Sequence, residues 1–276
     1  MSNLVQDKKK QLIMLAVLGV FLVILPFAAG AIGQAWVRIL NVTLLYVMLA
    51  LGLNVVVGVA GLLDLGYVAF YAVGAYTWSL LASPHFNIHL PFWILLPLGA
   101  FLAALAGLLL GTPVLKLRGD YLAIVTLGFG EIVRILMNNF DKVGLPWSDE
   151  TYNITNGPRG LTGIDPLTFF GFKLNAGMNL FGLQISGLQL YYFVFLALTV
   201  LSVIGVSRLQ HSRLGRAWQA LREDEIAAKA MGINTRNIKL AAFAFGALTG
   251  GLAGGLFASM QGFVSPESFG LLESVM

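Results

Sequence analysis

The sequence predicts an all-α integral membrane protein, a polytopic helical bundle with broken helices. Three observations carry this. Of 276 residues, 58% are hydrophobic and only 11% are charged, with a mean hydropathy of +0.82, whereas a soluble domain carries roughly 25% charged residues. Apolar runs close to the ~20 residues that cross a bilayer recur along the chain. Lysine and arginine gather in alternate connections between those runs.

Taken in order, the spans are expected at 11–29, 36–57, 62–82, 92–112, 120–139, 188–206 and 239–260. The first follows "KKK" at 8–10 and ends near "AAGA" at 28–31, which resembles a signal peptide. Its apolar run exceeds the ~7–15 residues of a signal core, so it is read as an uncleaved span. The third is interrupted. In "VGVAGLLDLGYVAFYAVGAY" (57–76), glycines at 58, 61, 66 and 74 and the acid Asp64 break an apolar segment. Irregular backbone at membrane depth survives where protein or a water-filled cavity supplies hydrogen-bond partners, and it often lines substrate sites. Gly61, Asp64 and Gly66 are therefore pathway candidates, the alternative for Asp64 being an interfacial helix-start residue. The fourth and seventh spans carry small-residue stripes. These are Gly99, Ala103, Gly107 and Gly111, then Gly246, Gly250, Gly254 and Ala258 with Gly251 and Gly255 beside them. Such stripes let helices approach closely in lipid, and a pathway lining is the alternative. The fifth carries Asp120, Glu131 and Arg134. Glu131 and Arg134 are three apart and share a face, where they are expected to pair with each other or a third group. Their readings are a structural ion pair or a place near the pathway.

Orientation follows the cations. Lys8–Lys10 precede the first span, Lys116 and Arg118 lie between the fourth and fifth, and seven Lys and Arg residues from Arg208 to Lys239 lie between the sixth and seventh. With the N-terminus cytoplasmic, all fall inside, and only Arg38, Lys142, Arg159 and Lys173 fall outside. The net charge of +4 thus points to lipid orientation rather than to nucleic acid.

Two stretches lie outside the spans. Residues 140–187 ("DETYNITNGPRGLTGIDP" within them) form an exterior segment, read as a cap, a partner-docking surface or a solvated connector. Residues 207–238 form a cytoplasmic loop containing "LREDEIAAKAMGIN" (221–234), with a Glu225–Lys229 pair, a face of Leu221, Ile226, Ala228 and Met231, and Gly232 as a left-handed stop. A second short turn, "INTRNIK", is expected before the last span. The chain reads as one transmembrane domain, 1–276, expected to be truncated at its C-terminus because an apolar run is starting at "FGLLESVM".

The chemistry excluded is broad. There are no cysteines, so no disulfide, iron–sulfur cluster or thiol nucleophile. His85 and His89 have a helical metal spacing but sit in a short loop without carboxylates. "NIT" at 153–155 matches a glycosylation sequon. There is no G-x-x-x-x-G-K-[ST] loop for ATP, and no compact polar constellation for an enzyme can be assembled. No cofactor is expected in this chain, and an intramembrane enzyme would need polar residues converging on one cavity.

Glu225, Ala227, Ala228 and Gly232 resemble the "EAA…G" coupling loop of ABC-importer permeases. The wider likeness rests on "LGYVAFYAVGAY" (65–76), "LRGDYLAIVTLGFGEIVRIL" (117–136), "LGRAWQALREDEIAAKAMGI" (214–233) and "QGFVSPESF" (261–269). With these the chain resembles the LivM-type permease subunits of branched-chain amino acid ABC importers. The resemblance implies a bacterial or archaeal inner-membrane subunit that imports leucine, isoleucine and valine. Its partners would be a homologous second permease, two ATPase subunits holding ATP and Mg, and a periplasmic or extracellular binding protein. Glu225, Ala228 and Gly232 are then candidates for ATPase coupling. It carries nothing for 140–187. Permeation of urea, short amides or other amino acids remains open, as does an ion-coupled secondary transporter working through Asp64 and Glu131.

Overall fold

A computed structural model describes residues 2–114, 117, 119–144, 151–169, 172–180, 183–270 and 274. The helices are α1 (Ser2–Ile32), α2 (Gln34–Leu53), α3 (Val68–Leu81), α4 (Phe92–Val114), α5 (Asp120–Asn139), α6 (Gly187–Gln210), α7 (Arg213–Glu223), α8 (Glu225–Ala230) and α9 (Thr235–Gln261). Among the described residues, α1, α2 with its continuation to Val59, α4, α6 and α9 are long and apolar enough to cross a membrane. Of the other two expected spans, α3 is only 14 residues long. The 20-residue α5 carries Asp120, Glu131 and Arg134 and is not among the five. Lys116 and Arg118, which help set the expected orientation, lie outside the described residues, as does most of "FGLLESVM".

Helix α9 is the most buried of the five. Its small residues explain how. A Cβ on Gly251 would lie 2.5 Å from Ala103 Cβ and 2.8 Å from the Gly99 carbonyl, and one on Gly254 would lie 2.1 Å from the Tyr71 carbonyl. One on Gly107 would lie 2.8 Å from Ala247 Cβ. The Gly246–Gly250–Gly254 stripe therefore faces α3 and the continuation of α2, a Cβ on Gly246 lying 2.4 Å from Val56 Cγ2, while Gly251 and Ala247 beside it face the α4 stripe. Helix α3 also meets α9 through Gly74, whose Cβ would be 2.2 Å from the Gly251 carbonyl. In lipid, where apolar burial gives no drive for helices to associate, such backbone proximity yields van der Waals contact across three helices. The stripes are packing surfaces.

At the periphery, α1 is held by polar bonds from α6. Pro26 sits inside α1 and has no N–H, so the Leu22 carbonyl loses its helical donor. The Tyr192 hydroxyl donates to that carbonyl at 3.0 Å. Gln189 Nε2 donates to the Pro26 carbonyl at 3.1 Å, and Gln189 Oε1 accepts from the Ser186 N–H at 2.8 Å.

The 140–187 segment lies at the end of the bundle that also carries the α3–α4 connection and the end of α9. Its described parts are short antiparallel hairpins and two turns of 3₁₀-helix rather than a loose strand. Leu161, Ile164, Leu167 and Leu174 are buried in the same core as α3 and α6. Leu161–Thr162 pairs with Phe263–Val264. The Asp165 N–H donates to the Ala82 carbonyl at 2.6 Å. The Tyr191 hydroxyl accepts from the Leu167 N–H at 2.9 Å and donates to the Ser259 carbonyl at 3.0 Å. The described parts of the segment thus pack on the end of the bundle rather than forming a solvated connector.

Candidate functional site

The opposite end gathers the broken third span and the α7–α8 loop. Helix α2 runs on through a π-helical turn over Asn54–Val59, where the Ala60 N–H reaches back to the Val55 carbonyl. Regular helix resumes only at Val68, so the third span is shorter than the expected 62–82. π-turns inside helices recur at functional sites.

The intervening backbone is held from several sides. Gly61 has φ +72, a left-handed conformation that suits glycine. Asp64 is 3% exposed, and its Oδ1 accepts from the Gly66 N–H at 2.9 Å. This is the local acid-to-backbone turn that leads into α3. Its Oδ2 has no hydrogen-bond partner among the described residues. Gly66 presses on α5, where a Cβ would lie 1.9 Å from the Thr126 carbonyl. Thr126 Oγ1 accepts from the Leu65 N–H at 3.0 Å.

Glu131 and Arg134 do pair with each other. Arg134 Nε lies 3.1 and 3.0 Å from the two carboxylate oxygens, and Nη2 also donates to Oε1. The side chains are 40% and 32% exposed, so the pair lies part-way to the surface of α5.

The α7–α8 loop differs from the single helix expected over 221–231. Asp224 breaks it. Its extended backbone ends α7, and its Oδ1 accepts from the N–H groups of Ile226 and Ala227 at 2.7 and 3.1 Å, starting α8. Gly232 has φ +83, with its N–H on the Lys229 carbonyl and the Ile233 N–H on the Ala228 carbonyl, each at 3.1 Å. That is the double closure of a Schellman stop. The expected "INTRNIK" turn is absorbed into α9, which starts at Thr235 with Asn234 accepting from the Asn237 N–H.

The coupling candidates separate in space. Glu225 Oε1 takes Lys239 Nζ at 2.7 Å, a bond from α8 to the base of α9. Ala228 is buried against its own chain, as is Leu221, whereas Ile226 and Met231 are 70% and 83% exposed. The expected apolar face is thus divided, one half anchoring α8 and the other half facing outward. Gly232 borders open space. Trp218 on α7 is fully buried and donates from Nε1 to the Ile238 carbonyl at 2.8 Å. Arg222 Nη1 donates to the Gly58 carbonyl. A cleft of about 280 Å³ lies between the loop and the break, lined by Gly61, Leu62, Leu122, Arg222, Glu225 and Lys239 among others.

A second cavity, about 360 Å³ and mostly apolar, lies between α2 and α3, lined by Tyr46, Leu49, Leu53, Tyr67, Tyr71 and Ser274 among others. Sequence reasoning missed these tyrosines. The signal available was their place on either side of the glycine break. The Tyr67 hydroxyl donates to the Gly246 carbonyl at 2.9 Å, which ties the start of α3 to α9.

His89 Nδ1 meets the Asp165 carboxylate, which 140–187 brings to a loop that has no acid of its own. His85 Nε2 lies 2.9 Å from the Asn153 carbonyl oxygen. No group of three metal-ligating side chains occurs among the described residues.

Comparison with known proteins assigns these features to a family. The model of the branched-chain amino acid transport system permease component matches residues 35–275. The high-affinity branched-chain amino acid transport system permease protein LivM of Escherichia coli K12 is 48% identical over 96% of this chain and 61% of its own length, and that of Salmonella typhimurium LT2 is 47% identical over the same shares. The permease protein LivH of E. coli K12 is 23% identical over 80% of this chain and 68% of its own. The chain thus spans about three fifths of the length of the LivM relatives. No solved structure matches it. The chain is a polytopic membrane protein that belongs to the family of permease components of branched-chain amino acid transport systems.

Proposed function

We propose that the chain is the membrane-spanning permease subunit of an ATP-driven importer that carries leucine, isoleucine and valine into the cytoplasm. The observation that carries this is the 48% identity to a branched-chain amino acid permease over 96% of the chain. The cation asymmetry supports an inner-membrane orientation with the N-terminus and the α7–α8 loop in the cytoplasm. In that orientation the 140–187 cap faces outward, toward a substrate-binding protein. Likeness to both LivM and LivH supports pairing with a homologous second permease. Two ATPase subunits holding ATP and Mg dock beneath, and Ile226 and Met231 on α8 offer them an exposed apolar contact. ATP closure then biases two arrangements of the spans. The apolar walls of the cavity between α2 and α3 suit an aliphatic side chain.

The test is uptake into vesicles holding both permeases, with and without the ATPases, in the presence of the binding protein. Leucine uptake is expected only with ATPase and ATP, and faster than uptake of urea. Uptake by the permeases alone under a sodium or proton gradient would establish a secondary transporter instead.

A further inference from the structure

The α7–α8 loop reaches the rest of the chain through two polar struts that differ in what they grip. Glu225 grips Lys239 at the base of α9. Helix α9 is locked to α3 and α4 through glycine contacts closer than any side chain permits, so that strut ends on the stiffest part of the bundle. Arg222 grips the break. Helix α2 ends with its π-turn at Val59, leaving terminal carbonyls without helical donors and a partial negative charge at the helix end. The Arg222 guanidinium satisfies the Gly58 carbonyl there. Three residues on, a Cβ at Gly61 would lie 2.7 Å from Arg222 Cγ, so the glycine makes room for the arginine stem. Beyond Gly61 the same irregular backbone carries Asp64, Leu65 and Gly66 and enters α3 at the wall of the apolar cavity. Between the loop and the cavity, this stretch lacks regular helical hydrogen bonds.

We propose that Arg222 is the positioning residue that transmits displacement of the α7–α8 loop to the 58–66 break, through its bond to the Gly58 carbonyl and its stem against Gly61. Resting on the importer reading, this names the path from the loop to the third span. Glu225 is the fixed pivot and Arg222 the moving arm.

The experiment uses the full-length chain assembled with its second permease and ATPases in vesicles, and reads leucine imported per ATP hydrolysed. Arg222→Met keeps the stem and removes the guanidinium. Assembly and ATP hydrolysis are expected to stay unchanged while that ratio falls roughly three- to tenfold, the range for one exposed charge-assisted hydrogen bond. Arg222→Lys, whose ammonium still reaches for the carbonyl, is expected to recover part of the loss. Gly61→Ala, whose methyl strikes the stem, is expected to lower the ratio as Arg222→Met does. A wild-type ratio in Arg222→Met overturns the proposal alone. So does failure of both Arg222→Met and Arg222→Lys to assemble, which would make Arg222 a folding element. Absence of ATP-driven uptake by the wild-type complex overturns the importer reading, and the proposal with it.

Discussion

Gly232→Pro tests whether the stop after α8 is a working part of the coupling loop. The native residue has φ +83, whereas the proline ring holds φ near −65°. Proline also lacks the N–H that Gly232 places 3.1 Å from the Lys229 carbonyl, and without the left-handed residue the Ile233 N–H cannot reach Ala228. Two hydrogen bonds at about 0.5–1.5 kcal/mol each are lost. With the forced backbone change, the local cost is about 3 kcal/mol or more. The damage is confined, because a Cβ at this position meets no heavy atom within 4 Å and the α3–α4–α9 packing is elsewhere. Gly232→Ala is the graded control. It keeps the N–H and carries only the left-handed penalty of about 1–2 kcal/mol. Membrane insertion and recovery with the second permease are expected to match wild type for both. ATP-driven leucine uptake is expected to be abolished in Gly232→Pro and reduced in Gly232→Ala. Wild-type uptake by Gly232→Pro would remove Gly232 from the coupling machinery.

Two further predictions concern the bundle. Gly254→Val forces α9 away from the Tyr71 carbonyl, which a Cβ would approach to 2.1 Å. An overpacking cost of about 1–3 kcal/mol should appear as a lower thermal midpoint in detergent and less folded protein, and an unchanged midpoint would refute the close α3–α9 approach. Tyr192→Phe leaves the Leu22 carbonyl opposite Pro26 without its donor. The expected cost is about 0.6–2 kcal/mol, seen as earlier proteolysis of α1, and protection equal to wild type would show that α1 is held by packing alone.

What the sequence by itself determined is local. Helix length and apolar composition identify five of the seven expected runs, because a bilayer sets one length. The glycines of 57–66 mark the break, and Gly232 marks the end of α8, because a positive φ is a property of one residue. Asp224 ahead of "EIAAKA" is an equally local N-cap signal, and it accounts for the division of the loop helix that a continuous charge pattern conceals. The glycine stripes announce close neighbours without saying which helices they are. Tertiary structure alone decided the pairings. Glu225 takes Lys239, fourteen positions away, Arg222 takes a carbonyl 164 positions away, and His89 finds Asp165, 76 positions away. It also decided that Ala228 anchors while Ile226 and Met231 face out, and that the described parts of 140–187 pack on the bundle. The physical reason is the same in each case. A span's sequence encodes its own period and length, but not its register or rotation against its neighbours. Those are settled only when groups from different elements, up to 164 positions apart, come within hydrogen-bond reach.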